Sequence, residues 1–152
     1  MKKAFPEART EILDRLHAIT PNATREWGKM SPHQMVCHLM DSYELAMGER
    51  NVAGKSNFFN RTFIKWAALN LPMKWPPGVQ TMPELDQAAG AGTPPSVFAA
   101  DVAKLLKSID RFSASPRDFK FAPHPIFAAM TEWEWMRWGY LHADHHLRQF
   151  GL

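Results

Sequence analysis

Cysteine is almost missing from this chain of 152 residues, which has a single one, Cys37. One cysteine excludes an internal disulfide, as is usual for proteins of reducing compartments. The first residues lack the apolar core of a signal peptide, and no segment approaches the roughly 20 apolar residues that a membrane-spanning helix needs. The sequence therefore predicts a cytoplasmic protein with no membrane partner.

An excess of charge of one sign is missing as well. The formal net charge is +3, and no basic run is longer than Lys2–Lys3. Domains that bind nucleic acids concentrate their basic residues in a patch or a stripe. We therefore expect no nucleic acid partner.

Several motifs that identify metal or thiol enzymes are absent too. The chain has no Glu-x-x-His pair, which excludes the ligand set of di-iron carboxylate bundles. It has no H-E-x-x-H and no C-x-x-C, which excludes a zincin protease and a thiol-redox protein. Alternation of apolar and polar residues is sparse, so the sequence also disfavours a β-sheet.

What the chain does contain is helical periodicity, in a single domain that spans residues 1–152. Capping-box signatures at Ser31–Gln34 and at Thr131–Glu134 predict where the second and the last long helices begin. The predicted architecture has four principal helices and one additional apolar helical segment. The predicted helical segments cover residues 6–19, 31–47, 57–71 (the additional segment), 96–112 and 130–152.

A long irregular crossover is predicted between the third and fourth segments. Residues 73–95 contain several prolines and the run Ala-Gly-Ala-Gly at 89–92, which no helix or strand accommodates well. Loops of this length are commonly functional or mobile. We expect this crossover to be the least regular part of the chain and to cover one mouth of a helical bundle.

The last predicted helix carries the densest group of reactive side chains. Its inward side holds, in chain order, Trp135, Trp138, Gly139, His142, His145, His146 and Gln149. Arg137, Asp144 and Arg148 fall on the opposite side, which we expect to be solvated. His142 and His146 are one turn apart, with Cβ atoms roughly 5–6 Å from each other, so both can bind one metal ion. Core histidines satisfied by hydrogen bonds are the alternative, but three histidines in five residues favour a site.

A further histidine, His38, lies on the mostly inward side of the second predicted helix. A buried imidazole needs either a hydrogen-bond partner or a metal ion. Taken alone, His38 is more simply interpreted as a hydrogen-bonded core residue. A bundle can nevertheless bring residues of separate helices to one interior point, so a site built from His38, His142 and His146 is geometrically reasonable.

Two segments of the chain resemble the DinB-like superfamily. They are WGKMSPHQMVCHL at 27–39 and HPIFAAMTEWEWMRWGYLHADHHLRQFG at 124–151. The ending H-x-x-H-H-L-x-Q-F is similar to that of a subgroup described only as a domain of unknown function. The resemblance implies an all-α four-helix bundle that holds a divalent metal ion, often zinc or nickel. The matching ligand positions are His38, His142 and His146, with Gln149 at the glutamine that follows the last ligand.

The resemblance also implies small-molecule chemistry. Characterised relatives include thiol-dependent transferases and isomerases, so a low-molecular-weight thiol is an expected cosubstrate. Three nitrogen ligands leave one coordination position open, where a metal ion can activate a thiol or a water molecule. Asp41 and His145 are candidates for a general base, and Trp135, Trp138 and Gln149 for cofactor contacts. A metal-dependent hydrolase and a non-catalytic metal- or ligand-binding bundle are the alternatives.

The sequence departs from the family pattern at two places, and the first of them leaves the ligands unchanged but affects a substrate contact that relatives would share. Leu147-Arg148 stands where many relatives have Arg-Gly, and Phe127-Ala128 where the subgroup often has Phe-Gly. Relatives are often dimers, and six Trp with ten Phe are a large aromatic content for one core of this size. We therefore expect a homodimer, with burial of these aromatic side chains inside the monomer as the alternative.

Overall fold

The described part of the chain, residues 2–152 of a computed structural model, contains five α-helices and no β-strand. This confirms the all-α class. A π-helical turn, Asn60–Ile64, leads directly into α3, and short 3-10 turns lie at Pro83–Leu85, Gln87–Ala89 and Arg148–Phe150. The α-helices are α1 (Arg9–Ala18), α2 (Pro32–Ala46), α3 (Lys65–Asn70), α4 (Phe98–Ser113) and α5 (Glu132–Leu147).

Both predicted capping boxes are present. The hydroxyl of Ser31 accepts the backbone N–H of Gln34 at 3.1 Å, while the Gln34 amide oxygen accepts the N–H of Ser31 at 2.8 Å. Thr131 and Glu134 make the same reciprocal pair at 3.2 and 2.7 Å. Each box satisfies two N–H groups that have no partner inside their helix. The boxes therefore fix the start of α2 and of α5, the two helices that carry the histidines of interest.

Three of the predicted helices differ in extent from the structure. The last one ends as an α-helix at Leu147 rather than at Leu152, and the 3-10 turn Arg148–Phe150 follows it. Helix α1 begins at Arg9 rather than at Pro6, because residues 5–8 form a turn. The segment predicted as one helix over 57–71 contains the π-helical turn before α3. There the Thr62 hydroxyl donates to the carbonyl of Phe58 at 2.7 Å, which is the acceptor that an α-helical N–H at position 62 would use.

Helix α5 lies at the centre of the fold. It packs against α1, α2 and α3, and α2 packs in turn against α4. Residues on every side of α5 are buried, so the prediction of a solvated face is wrong at Arg137, which is only 6% exposed. Arg137 donates to the backbone carbonyls of Leu69 and Lys3. The N-terminal segment and the end of α3 cover this side of α5 and supply the acceptors.

The only glycine within α5 allows three helices to approach one another closely. A Cβ atom on Gly139 would lie 2.6 Å from the Phe112 ring of α4. The Gly139 carbonyl accepts the Tyr43 hydroxyl of α2 at 2.9 Å. The Phe112 ring occupies the space that a side chain at position 139 would fill, and the Tyr43 hydroxyl donates to the Gly139 carbonyl. These two contacts together set the distances between α2, α4 and α5.

Residues 73–95 form the irregular crossover that the prolines predict. Two 3-10 turns, Pro83–Leu85 and Gln87–Ala89, are the only regular elements of this segment. Both turns pack against α2. Within residues 2–152, no helix is long and apolar enough to cross a membrane.

Part of the aromatic content lies on the surface. Four exposed aromatic side chains form what we name the aromatic surface: Phe58 (76% exposed), Phe59 (56%), Phe63 (57%) and Trp66 (55%). Phe59 and Phe63 stack on each other with ring centroids 5.3 Å apart. Contiguous exposed apolar patches are typical of contact surfaces. The homodimer stays a prediction, and the aromatic surface is where we expect a second copy to pack.

Replacing both Phe59 and Phe63 by Ser is expected to leave the chain monomeric, because it removes the stacked pair from the aromatic surface. Light scattering at matched protein concentrations measures the change in mass. Val97→Ser is the control, since Val97 is 63% exposed and lies at the start of α4, outside that surface. An unsubstituted chain that is monomeric at high concentration would contradict the expectation.

Candidate metal centre

Three imidazole rings from two helices meet at one point inside the fold. Nε2 of His142 lies 3.3 Å from Nε2 of His38 and 3.0 Å from Nε2 of His146. Nitrogens bound to one tetrahedral zinc ion at roughly 2.0–2.1 Å would lie about 3.3–3.4 Å from each other. The structure therefore brings together the three histidines singled out in the sequence: two of the three nitrogen separations are close to those of ligands of a single ion, and all three nitrogens lie within 4.8 Å of one another.

Hydrogen bonds on the outer side of two of these rings determine which nitrogen carries the proton. Nδ1 of His38 lies 3.0 Å from the backbone carbonyl oxygen of Leu85. A carbonyl only accepts, so Nδ1 carries the proton. Nδ1 of His146 donates in the same way to Oε1 of Gln149 at 2.8 Å. In both neutral rings Nε2 is then unprotonated, and its lone pair faces the centre, as in histidines that bind metal ions.

The third ring cannot satisfy both lone pairs. Nδ1 of His142 is buried and has no hydrogen-bond partner among residues 2–152. If the proton of His142 is on Nε2, it can be donated to only one of the two facing lone pairs. If it is on Nδ1, three lone pairs face one another. In either case the centre has an excess of acceptors, which a cation would satisfy.

Burial keeps these imidazoles in the form that binds metal ions. Desolvation lowers the pKa of His38, although its hydrogen bond to Leu85 opposes this. Desolvation, reinforced by the neighbouring imidazoles, lowers the pKa of His142 and His146 well below the usual value. All three rings are therefore neutral at pH 7. Neutral imidazole nitrogens are common ligands of zinc and nickel.

A cavity of about 120 Å³ opens beside the three histidines. Its walls come from α2, from the crossover, from the loop before α5 and from α5 itself. The crossover thus covers the histidines on one side, as expected from the sequence. Trp138 lines the cavity and packs against the His142 ring with centroids 4.7 Å apart. An ion bound by the three nitrogens would face this cavity.

Two other predicted contact residues lie outside the cavity lining. Trp135 is buried in the core and stacks on Phe121 with centroids 5.4 Å apart. Gln149 holds the His146 ring in place and is also buried. The roles of Trp135, Trp138 and Gln149 in cofactor binding stay predictions. For Gln149 the structure shows the contact through which it would act, the hydrogen bond to His146.

The Trp27–Gly28 pair before α2 supports this end of the site. Gly28 has a positive φ of 86°, and a Cβ atom there would lie 2.5 Å from Nε2 of Gln149. Only glycine therefore leaves room for the amide that orients His146. The Trp27 ring packs edge-on against His145 with centroids 4.8 Å apart.

His145, one of the two candidates for a general base, lines the cavity. It is 4% exposed, and its Nδ1 has no partner within the described part of the chain. The pKa of His145 is lowered to about 4, mainly because the ring is buried. The ring is therefore neutral at pH 7. Its role as a base stays a prediction.

Asp41, the other candidate, is fully buried and holds the crossover against α2. Its carboxylate accepts the N–H of Thr93 at 2.8 Å, the Thr93 hydroxyl at 2.6 Å and the Gln87 amide at 3.2 Å. It also pairs with Arg50 at 2.7 Å. Gly92 permits this approach, because a Cβ atom there would lie 2.4 Å from Oδ2. Both oxygens of Asp41 are thus occupied by donors, and the side chain does not line the cavity.

Sequence reasoning missed one histidine of the cavity, His124. The ring is 8% exposed and stacks on Phe127 with centroids 4.6 Å apart. Its Nδ1 accepts the backbone N–H groups of Ile126 and Phe127 at 3.1 and 3.2 Å. The signal that was available is His-Pro at 124–125, the start of the second segment that carries the resemblance.

A second group of ligand-type residues, His33, Cys37 and Asp101, has its donor atoms within 4.8 Å of one another. Asp101 accepts the N–H of Ser96 at 2.9 Å, Nε2 of His33 at 2.8 Å and the ammonium of Lys104 at 3.0 Å. Burial alone would raise the pKa of Asp101, but these hydrogen bonds hold it well below its usual range. Burial also raises the pKa of Cys37 to about 11. Hydrogen bonding within the protein accounts for this group.

Comparison with known proteins identifies one family. A family model described as "Protein of unknown function (DUF1569)" matches residues 4–151. No curated protein and no solved structure matches the chain. The match includes both histidine-bearing helices and the crossover between them, so the whole candidate centre lies within the domain that the family shares.

Replacing Asp41 by Asn is expected to loosen the crossover, because it removes the charge that Arg50 and the two Thr93 donors share. The expected cost is about 1–3 kcal/mol, and the Thr93 amide should exchange its hydrogen faster while the amides of α5 do not. Hydrogen-exchange mass spectrometry measures both. Asp118→Asn is the control, since that side chain is 66% exposed. Unchanged exchange at Thr93 would show that Asp41 does not hold the crossover.

Proposed function

Since the chain belongs to the DUF1569 family, we propose its function from the site itself: it is an enzyme that depends on a divalent metal ion. In this proposal α1, α2, α4 and α5 form a four-helix bundle of the DinB-like type. His38, His142 and His146 hold the ion, which is zinc or nickel. The observation that carries the proposal is the convergence of three Nε2 atoms. Two of them, in His38 and His146, are unprotonated and direct their lone pairs towards the centre.

An ion held there would act as a Lewis acid and lower the pKa of a thiol or of a water molecule beside it. The chain's own side chains prepare the rest of the site. Leu85 and Gln149 keep the rings of His38 and His146 oriented through their outer nitrogens. Trp138 and the crossover enclose the cavity in which a small-molecule substrate would bind.

Thiol transfer is the activity that we propose first. A protein thiol is not suited to it, because Cys37 is fully buried, has a pKa raised to about 11 and does not line the cavity. The nucleophile would therefore come from a low-molecular-weight thiol. A metal-dependent hydrolase would use the same centre with water as the nucleophile.

A non-catalytic metal-binding bundle is the second candidate function. Structural zinc sites normally use four protein ligands and are closed. Here three imidazoles meet next to an open cavity. An open position beside a cavity is typical of catalytic centres, and this favours the enzyme over the binding module.

Replacing His142 by Ala is expected to weaken metal binding by more than about 100-fold, since even residues that only orient a ligand contribute 10- to 100-fold. The experiment uses protein purified without a His tag and competition with a chromophoric chelator for zinc and for nickel. His17→Ala is the control, because His17 lies on the exposed side of α1. Equal metal affinity of His142→Ala and the unsubstituted protein would rule out the proposed centre.

The same preparations separate the enzyme from the binding module. If the chain is a thiol transferase, chelation should abolish transfer of a thiol to an electrophile, and zinc or nickel should restore it. If the chain is a binding module, chelation changes its thermal stability and no thiol gives turnover.

A further inference from the structure

The cavity beside the histidines has walls without formal charge. Within the described residues 2–152, no Asp, Glu, Lys or Arg side chain lines it. Most of the wall is apolar and aromatic. The main apolar contributors are Trp75, Met82, Leu85, Ile126, Phe127 and Trp138. A carboxylate, phosphate or ammonium group placed among these side chains would lose its hydration without gaining a partner of opposite charge.

His124 supplies one oriented hydrogen-bond donor in this apolar wall. Because its Nδ1 accepts two backbone N–H groups, from Ile126 and Phe127, the proton of the neutral ring is on Nε2. Burial lowers the pKa of His124 to about 4, so the ring is neutral at pH 7. Among residues 2–152 no protein atom accepts the Nε2 proton, and Nε2 is not one of the fully buried atoms that lack a partner, so it keeps accessible surface in a residue that lines the cavity.

Besides the histidines, three polar side chains line the cavity: Gln80 and Thr81 from the more exposed part of the crossover, and Ser42 from α2. The Ser42 hydroxyl donates to the carbonyl of His38 at 2.7 Å, inside its own helix. The volume of about 120 Å³ also limits what can enter. For comparison, an apolar cavity of about 150 Å³ binds benzene. One ring, or a chain of similar bulk, is therefore the largest group that the cavity can enclose without rearrangement.

We propose that the cavity takes a neutral, largely apolar substrate group, of at most one aromatic ring, whose hydrogen-bond acceptor meets Nε2–H of His124. This inference rests on the proposed function only in treating the cavity as the substrate site. A substrate or thiol with carboxylates, such as a peptide thiol, would have to keep its charged part outside the cavity. His124 is a substrate-positioning residue in this account.

Benzamide and benzoate are matched probes, because they have the same ring and a similar outline and differ in charge. The experiment uses the full chain after chelation, so that benzoate cannot gain affinity by binding an ion. Calorimetry, or quenching of Trp75 and Trp138 fluorescence, gives the two dissociation constants. Benzamide should bind at least tenfold more tightly than benzoate. Equal or tighter binding of benzoate, or no binding of either probe up to its solubility, overturns the proposal.

The His124→Asn substitution tests the donor. The Asn Oδ1 can still accept the two N–H groups of the turn, whereas the Nε2 proton is lost. Removal of one hydrogen bond should weaken benzamide binding about 3- to 10-fold, while toluene, which has no acceptor, should bind as before. His17→Asn on α1 is the control and should change neither. Equal losses for benzamide and toluene would show that His124 only shapes the wall.

Met82→Lys tests the charge argument even if His124→Asn does not fold. Met82 is half-buried in the crossover and lines the cavity, so a lysine there brings a cation into the wall at little cost to the core. Benzoate affinity should then rise relative to benzamide; an unchanged ratio overturns the proposal. Metal affinity is measured separately, so weak metal binding with intact benzamide selectivity would refute the proposed function and leave this inference standing.

Discussion

The burial of three imidazoles against one another is the constraint on which the rest of this structure depends. A buried polar group without a hydrogen bond costs about 1–3 kcal/mol, and here three rings direct Nε2 atoms at one another. The outer nitrogens of His38 and His146 are satisfied by Leu85 and Gln149. The inner nitrogens are not fully satisfied by the protein, and this imbalance is what makes the centre a metal site in our account.

The irregular crossover is as much a part of this centre as the helices are. Leu85, in one of its 3-10 turns, supplies the carbonyl that orients His38. Asp41, on the same helix as His38, holds the other end of the crossover through Thr93 and Gln87. The buried charge of Asp41 is thereby used to place a loop over the cavity. Helix α2 therefore contributes to the site twice. His38 supplies one ring of the centre, and Asp41, three positions later, holds the crossover in place.

The sequence predicts the helices better than it predicts the surroundings of the site. Capping boxes and the one-turn spacing of His142 and His146 are local features, so they could be identified without knowledge of the fold. The partner of His38 lies in a loop whose path depends on tertiary contacts. The burial of Arg137 depends on which carbonyls cover α5. The ring of His124 is oriented by the tight turn that begins at this residue, and helical periodicity does not reveal such a turn. The exposure of Phe58 depends on what packs against α3.

X-ray absorption at the metal edge of zinc-loaded protein tests the central claim most directly. We predict three nitrogen neighbours at roughly 2.0–2.1 Å, with the multiple scattering that is typical of imidazole, and a visible loss of that scattering in a His38→Ala variant. Coordination by oxygen alone, or an identical spectrum for the unsubstituted protein and the variant, would contradict a centre made of His38, His142 and His146.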